Sequence, residues 1–199
     1  MMKLNSELRQ QAAGSLTGNW GMAALITLVY SLLMGGGSSL SMGIINLVLL
    51  PVAYGYAVLF LDLTRGVKLD IGRLFDGYKD IGRIFGTVLL YQIYIILWTL
   101  LLVVPGIIKF YSYAMTYFIL KDYPELAYNA AIEKSMAMMS GYKMKLFLMD
   151  LSFIGWAILC CLTFGIGFLF LGPYMQASHA AFYEDLKKEL GESIEIISE

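Results

Sequence analysis

The chain has 199 residues, of which 59% are hydrophobic and 15% charged, with a mean hydropathy of +0.70. An ordinary soluble domain carries about 25% charge, so this composition excludes one, and a net charge of −1 offers no electrostatic footing for nucleic acid. The only cysteines, Cys160 and Cys161, are neighbours in an apolar run, which excludes a disulfide framework.

The N-terminal segment carries Lys3 and Arg9 ahead of an apolar run starting near Trp20. Gly35–Ser39 follows, not a small-residue cleavage site, so the run reads as a retained first span. No Asp, Glu, Lys or Arg stands between Arg9 and Asp62, between Arg83 and Lys109, or between Asp150 and Glu184. A bilayer core takes about 20 apolar residues per helix. The gaps therefore predict an all-α membrane protein of six transmembrane helices: 19–34, 41–62, 82–104, 106–121, 145–162 and 166–186. Gly35–Ser39, Val103–Gly106 and Thr163–Gly167 supply the outer turns. Pro51 and Pro173 fall inside the second and sixth spans, where they either kink a helix or mark a re-entrant segment.

A threefold repeat of about sixty residues organises these spans. Gly18–Trp20, Gly77–Lys79 and Gly141–Lys143 each precede a long apolar stretch; then come Pro51, Pro105 and Pro173; then Tyr54–Asp62, Tyr111–Ile119 and Ala177–Asp185. The chain reads as a single membrane domain, 1–199, with units at 1–76, 77–140 and 141–190 and a flexible tail at 191–199. Asp70–Phe75 (DIGRLF) returns as Asp80–Phe85 (DIGRIF), but ten residues turn a helix by about 280° net, so the copies cannot share a face of one helix. The first copy, with Ile71, Leu74, Phe75 and Tyr78 at i, i+3, i+4 and i+7, predicts an amphipathic helix in the cytoplasmic interface. The second opens the next span, with Arg83 as its anchor. Pro124–Tyr142 reads as a similar helix with Pro124 in its first turn, and Leu8–Leu16 as a third. Every Lys and Arg except Lys109 then falls on one side, which places both termini in the cytoplasm by the positive-inside rule.

Catalytic motifs are missing from this pattern. His179 is the one histidine, no ligand set surrounds it, and no phosphate-binding or nucleophile-elbow motif occurs, so neither a metal, a cofactor nor an enzymatic reaction is expected. Ionisable groups within apolar spans are functional candidates. Lys109 reads either as an anion, headgroup or gating contact or as a snorkelling side chain. Asp150 reads as a proton or cation site or as a salt-bridged cap. His179 takes the place that Tyr56 and Tyr113 hold in the other units, as part of an aromatic or polar ring or as a proton relay. The tyrosines of the return helices, Tyr54, Tyr56, Tyr111, Tyr113, Tyr117 and Tyr123, fit either an interfacial belt or a cavity for an amphiphile. Arg73, Lys79 and Arg83 are candidate contacts to anionic lipid headgroups. Ala53/Ala57, Gly82/Gly86 and Ala177/Ala181 allow close helix packing, within the bundle or between copies.

Leu16–Trp20, Val104–Pro124, Ala131–Phe147, Asp150–Trp156 and Gly172–Leu186 together resemble a bacterial integral-membrane family catalogued as domain of unknown function 975. The resemblance covers nearly the whole chain and implies a multi-span protein of the bacterial inner membrane with no assigned activity. The chain is also distantly similar to the membrane domains attached to some glycerophosphodiester phosphodiesterases, without their catalytic domain. The expected function is to bind or move an amphiphilic or lipid-like molecule, or to modulate a membrane complex. The alternatives are a structural or immunity-type partner docking others through cytoplasmic helices, and a membrane-embedded lipid enzyme. The expected partners are membrane lipids, a second copy of the chain or another membrane protein.

Overall fold

A computed structural model of the chain describes residues 2–35 and 48–198. Helix α1 spans Asn5–Leu16 and opens where the Glu7 carboxylate accepts the Leu4 N–H at 2.7 Å. Leu8, Ala12 and Leu16, four residues apart, form its one fully buried stripe. Gly18, at φ +80°, turns the chain through a left-handed conformation that a side chain would resist. Helix α2 (Trp20–Gly35) then leaves at 96° to α1. It buries Ala23, Ile26 and Thr27 and exposes Met22, Leu25, Leu28 and Leu32. The expected turn at Gly35–Ser39 and the start of the expected second span lie largely outside the described residues.

Helix α3 (Leu50–Thr64) is buried on nearly every side. Pro51 lies in its first turn, where a missing N–H costs no hydrogen bond; the stretch of the expected second span ahead of Val48 lies outside the described residues. The segment expected as an amphipathic α-helix over Asp70–Tyr78 is instead a 3-10 helix, Ile71–Tyr78, and it packs on protein. It runs antiparallel to α3: a Cβ on Gly55 would meet the Leu74 carbonyl oxygen at 2.0 Å, and one on Gly77 the Pro51 oxygen at 2.4 Å. A 3-10 helix stacks i and i+3 on one face, so Leu74 and Gly77 together face α3 and are buried. Asp70 caps it by accepting the Gly72 N–H at 2.9 Å, and the Tyr78 hydroxyl donates to the Val48 carbonyl at 2.8 Å.

The second DIGR copy does open an apolar helix, α4 (Ile81–Leu101). The turn expected over Val103–Gly106 is confined to Leu102, because Pro105 fits the first turn of α5 (Val103–Tyr113). Gly106 lets α5 close on α4: a Cβ there would sit 2.9 Å from Thr99 Cα. Helix α6 (Thr116–Asp122) continues α5. The helix expected from Pro124 begins only at Asn129, as α7 (Asn129–Met138), because Tyr128 adopts φ +50° and its N–H is taken by the Thr87 hydroxyl at 2.6 Å. Helices α8 (Lys143–Leu151) and α9 (Ile154–Leu162) follow each other, and Gly165, at φ +85°, precedes the long α10 (Phe168–Ser198), which carries Pro173 inside it.

No strand occurs among the described residues. Among the described residues three runs are long and apolar enough to cross a membrane: Ile81–Leu101, Val103–Asp122 and Lys143–Leu162; the bent pair α1–α2 would make a fourth. At about 1.5 Å per residue, 20 residues match a hydrocarbon core of about 30 Å. Burial divides the molecule. The residues around α3, α6, α7, α1 and the middle of α10 form a tightly packed base, with Phe60, Leu61, Ile119, Leu120, Phe182 and Tyr183 fully buried. The far ends of α4, α5, α9 and the start of α10 expose Leu100, Leu101, Val104, Trp156, Leu162 and Phe170. Exposed apolar side chains gathered at these helix ends are compatible with a lipid environment.

Candidate functional site

Asp150 sits one residue before the end of α8, and His179 sits on α10 where it passes alongside. Their side chains meet: His179 Nε2 is 2.6 Å from Asp150 Oδ1, and both are about four-fifths buried, at 21% and 17% exposed. The pair lines a cavity of about 660 Å³ between α2, α3, α4, α5 and the α8–α10 face. The lining also includes Tyr30 and Tyr56, stacked with ring centroids 4.2 Å apart and planes 10° from parallel. Tyr56 is fixed by its hydroxyl, 3.0 Å from Thr27 Oγ1, while Thr27 donates to the Ala23 carbonyl at 2.9 Å. Tyr91 and Tyr117 form a second aromatic pair in the lining, centroids 5.6 Å apart, and Tyr111 lies within electrostatic reach of Asp150. Gln92 and Gln176 add neutral polar groups. The volume lies within the roughly 300–1,000 Å³ of small-molecule sites.

The candidates Asp150, His179 and Tyr56 thus share one cavity, although they come from distant parts of the chain. Lys109 and Tyr113 do not line it. Lys109 Nζ lies 4.9 Å from the centre of the Trp98 ring, 5.8 Å from that of Tyr113 and 3.7 Å from Met136 Sδ, an aromatic resting place for a cation. Tyr113 is buried between Tyr91 and Tyr94, with centroid distances of 6.1 and 6.3 Å. The neighbouring Tyr111, two residues earlier, takes the cavity position. The residues not singled out from the sequence are Tyr30, Tyr91, Gln92 and Gln176. Both glutamines stand in charge-free apolar stretches, and a neutral amide in such a stretch is the signal that points to them.

The basic residues at the polar end mostly serve the fold. Arg73 pairs with the buried Asp62, which Lys121 also approaches at 3.5 Å. Arg83 pairs with Asp80 at 2.5 Å and donates to the carbonyls of Leu120 and Leu126 at 3.0 and 3.1 Å, tying the start of α4 to the end of α6. Lys79 is 79% exposed and touches only Asp76, so of the three headgroup candidates it alone projects outward. Arg65 grips both oxygens of Asp122 at 2.8 and 2.7 Å and reaches Glu184 at 2.6 Å, while Lys187 meets Asp122 at 2.5 Å. The Asp122 hydrogen bonds, against the opposing effect of burial, hold the Arg65 guanidinium charged above its ordinary range. Among the described residues no three His, Cys, Asp or Glu side chains gather as a metal site.

A family model for proteins of unknown function, DUF975, matches residues 82–190, more than half of the chain. The chain belongs to the DUF975 family. No curated protein and no solved structure matches it. The DUF975 region runs from the start of α4 into α10, and so contains Asp150, His179, Tyr91, Tyr111, Tyr117 and both glutamines; Tyr30 and Tyr56 close the cavity from outside it.

Proposed function

We propose that this DUF975 protein is a multi-pass membrane protein that binds, and passes along, an amphiphilic molecule held in the tyrosine-lined cavity, without a catalytic step. The cavity carries this reading. It is walled by apolar side chains, it has polar groups converging from several helices, and it opens toward the exposed Ile93, Ile96 and Phe110. A molecule with a polar head and an aliphatic tail satisfies both kinds of wall. In this reading the protein sits in a cytoplasmic membrane with both termini inside. The apolar stretches 19–34, 41–62 and 166–186 join the three long apolar runs as further membrane-embedded segments of a threefold repeat. The one-sided placement of Lys and Arg supports that orientation.

The test is photolabelling. The protein in lipid nanodiscs is irradiated with a diazirine-bearing single-chain amphiphile, and the labelled peptides are sequenced. Labels are expected on peptides containing Tyr56, Tyr111 or Tyr117, and Ala57→Trp, which fills the cavity from α3, is expected to remove them. Labelling confined to the outer apolar surface, around Leu100 and Trp156, and indifferent to Ala57→Trp, would rule out the cavity as the binding site.

A further inference from the structure

The cavity lining is one-sided in charge. Of its side chains Asp150 is the single carboxylate, and no lysine or arginine of the described residues reaches it. Around it stand Tyr30, Tyr56, Tyr91, Tyr111 and Tyr117. Aromatic faces carry negative potential and attract cations. The same chain settles three lysines this way elsewhere: Lys109 over Trp98 at 4.9 Å, Lys134 over Tyr123 at 3.5 Å and Lys187 over Tyr183 at 5.5 Å.

Asp150 has one ionic neighbour, His179, which carries charge only when protonated. A carboxylate has acceptor sites for about four hydrogen bonds, and a largely buried one is stabilised by a cation more than by any neutral donor. Lys109 rests over the Trp98 and Tyr113 rings, and Arg9 donates to Ser152 Oγ at 2.9 Å and lies over the Phe153 ring; neither lines the cavity. An anion entering this cavity meets like charge at Asp150 and the negative faces of the tyrosines. A neutral head can donate a hydrogen bond to Asp150 but gains no charge pairing there. The fatty tail of a ligand has an apolar exit at Ile93, Ile96 and Phe110, which line the cavity and are exposed.

On the reading proposed above, we infer that the amphiphile is a cation, an alkylammonium whose head pairs with Asp150 among Tyr91, Tyr111 and Tyr117 and whose tail leaves past Ile96 and Phe110. His179 holds the carboxylate in the absence of such a head and is displaced from it on binding.

The experiment uses the full chain in nanodiscs at pH 8, with three probes sharing a dodecyl tail at sub-solubilising concentration: dodecyltrimethylammonium, dodecyldimethylamine N-oxide and dodecyl sulfate. Binding is measured calorimetrically, with protein-free nanodiscs subtracted. The ammonium is expected to bind at least about tenfold tighter than the other two, a difference of about 1.4 kcal/mol. Asp150→Asn is expected to erase that gap, and Asp150→Glu to keep most of it. If the three probes bind alike, or if the gap survives Asp150→Asn, the cationic assignment falls. The amphiphile reading then stands provided Ala57→Trp abolishes the binding. If no probe binds above protein-free nanodiscs, the amphiphile reading falls with it. If Asp150→Asn does not fold, His179→Leu decides: freeing the carboxylate should tighten the ammonium severalfold and leave the other probes unchanged. Unchanged or weaker ammonium binding in that variant overturns the assignment.

Discussion

Gly55→Ala is expected to lower stability sharply, because α3 and the 3-10 helix touch there backbone to backbone. The added Cβ would lie 2.0 Å from the Leu74 carbonyl oxygen, 2.7 Å from its carbon and 3.1 Å from its Cα. Ordinary contact begins at about 3.4 Å, so the 3-10 helix must retreat by more than an ångström; nothing flexible lies in between. That retreat draws Leu74, which is fully buried, out of its packing and pulls Arg73 away from Asp62. Overpacking of a well-filled interface costs about 1–3 kcal/mol, and for a chain of this size each kcal/mol moves Tm by about 2–4 °C. A fall of about 4–8 °C follows for a cost in the middle of that range. Gly14→Ala is the control: Gly14 is exposed within α1 with nothing within 4 Å of an added Cβ, so alanine there should raise stability by about 0.5–1 kcal/mol. Both are read by thermal unfolding in nanodiscs, followed by tryptophan fluorescence. If Gly55→Ala melts at or above the wild-type temperature while Gly14→Ala behaves as expected, the close crossing of α3 and the 3-10 helix is wrong.

Arg83→Ala removes the donor that serves the Leu120 and Leu126 carbonyls; a loss of about 1.5–3 kcal/mol is expected from charged hydrogen bonds, with Arg83→Lys recovering only part, as Tm values will show. Asp62→Asn strands Arg73 and Lys121 beside an uncharged amide. Because Arg73 is about a quarter exposed, solvent reduces the cost of a broken buried pair to about 1–3 kcal/mol, and a variant as stable as wild type would show that the pair contributes nothing. Lys79→Gln should leave Tm unchanged while weakening flotation with anionic vesicles; Arg73→Gln and Arg83→Gln should do the reverse, lowering Tm with little direct effect on flotation. Equal flotation loss in all three variants would support a headgroup role for both arginines as well.

Much of the architecture was legible in the residues. The spans read at 82–104, 106–121 and 145–162 meet apolar helical runs at Ile81–Leu101, Val103–Asp122 and Lys143–Leu162, and Asp80–Phe85 leads into the first of them. Local rules failed where backbone met backbone. Ile71–Tyr78 has an α-helical stripe, yet it folds as a 3-10 helix because Gly55 and Gly77 let it press against α3, and a period of three puts Leu74 and Gly77 on that contact. Pro124 looks like a helix start, but the positive φ of Tyr128, fixed by Thr87 from α4, postpones the helix to Asn129.

By itself the sequence determined which stretches are apolar and which carry charge, because hydropathy and charge are properties of residues taken one at a time. It singled out Asp150, His179 and Tyr56 as polar groups in apolar surroundings. Only the tertiary structure decided that these three line one cavity, that Tyr111 takes the place expected of Tyr113, and that Lys109 rests on Trp98 outside it. Those outcomes depend on how each helix is rotated about its axis and how closely it crosses its neighbours. Rotation and crossing are set by the joint packing of residues tens of positions apart, and no local stretch of chain contains that information.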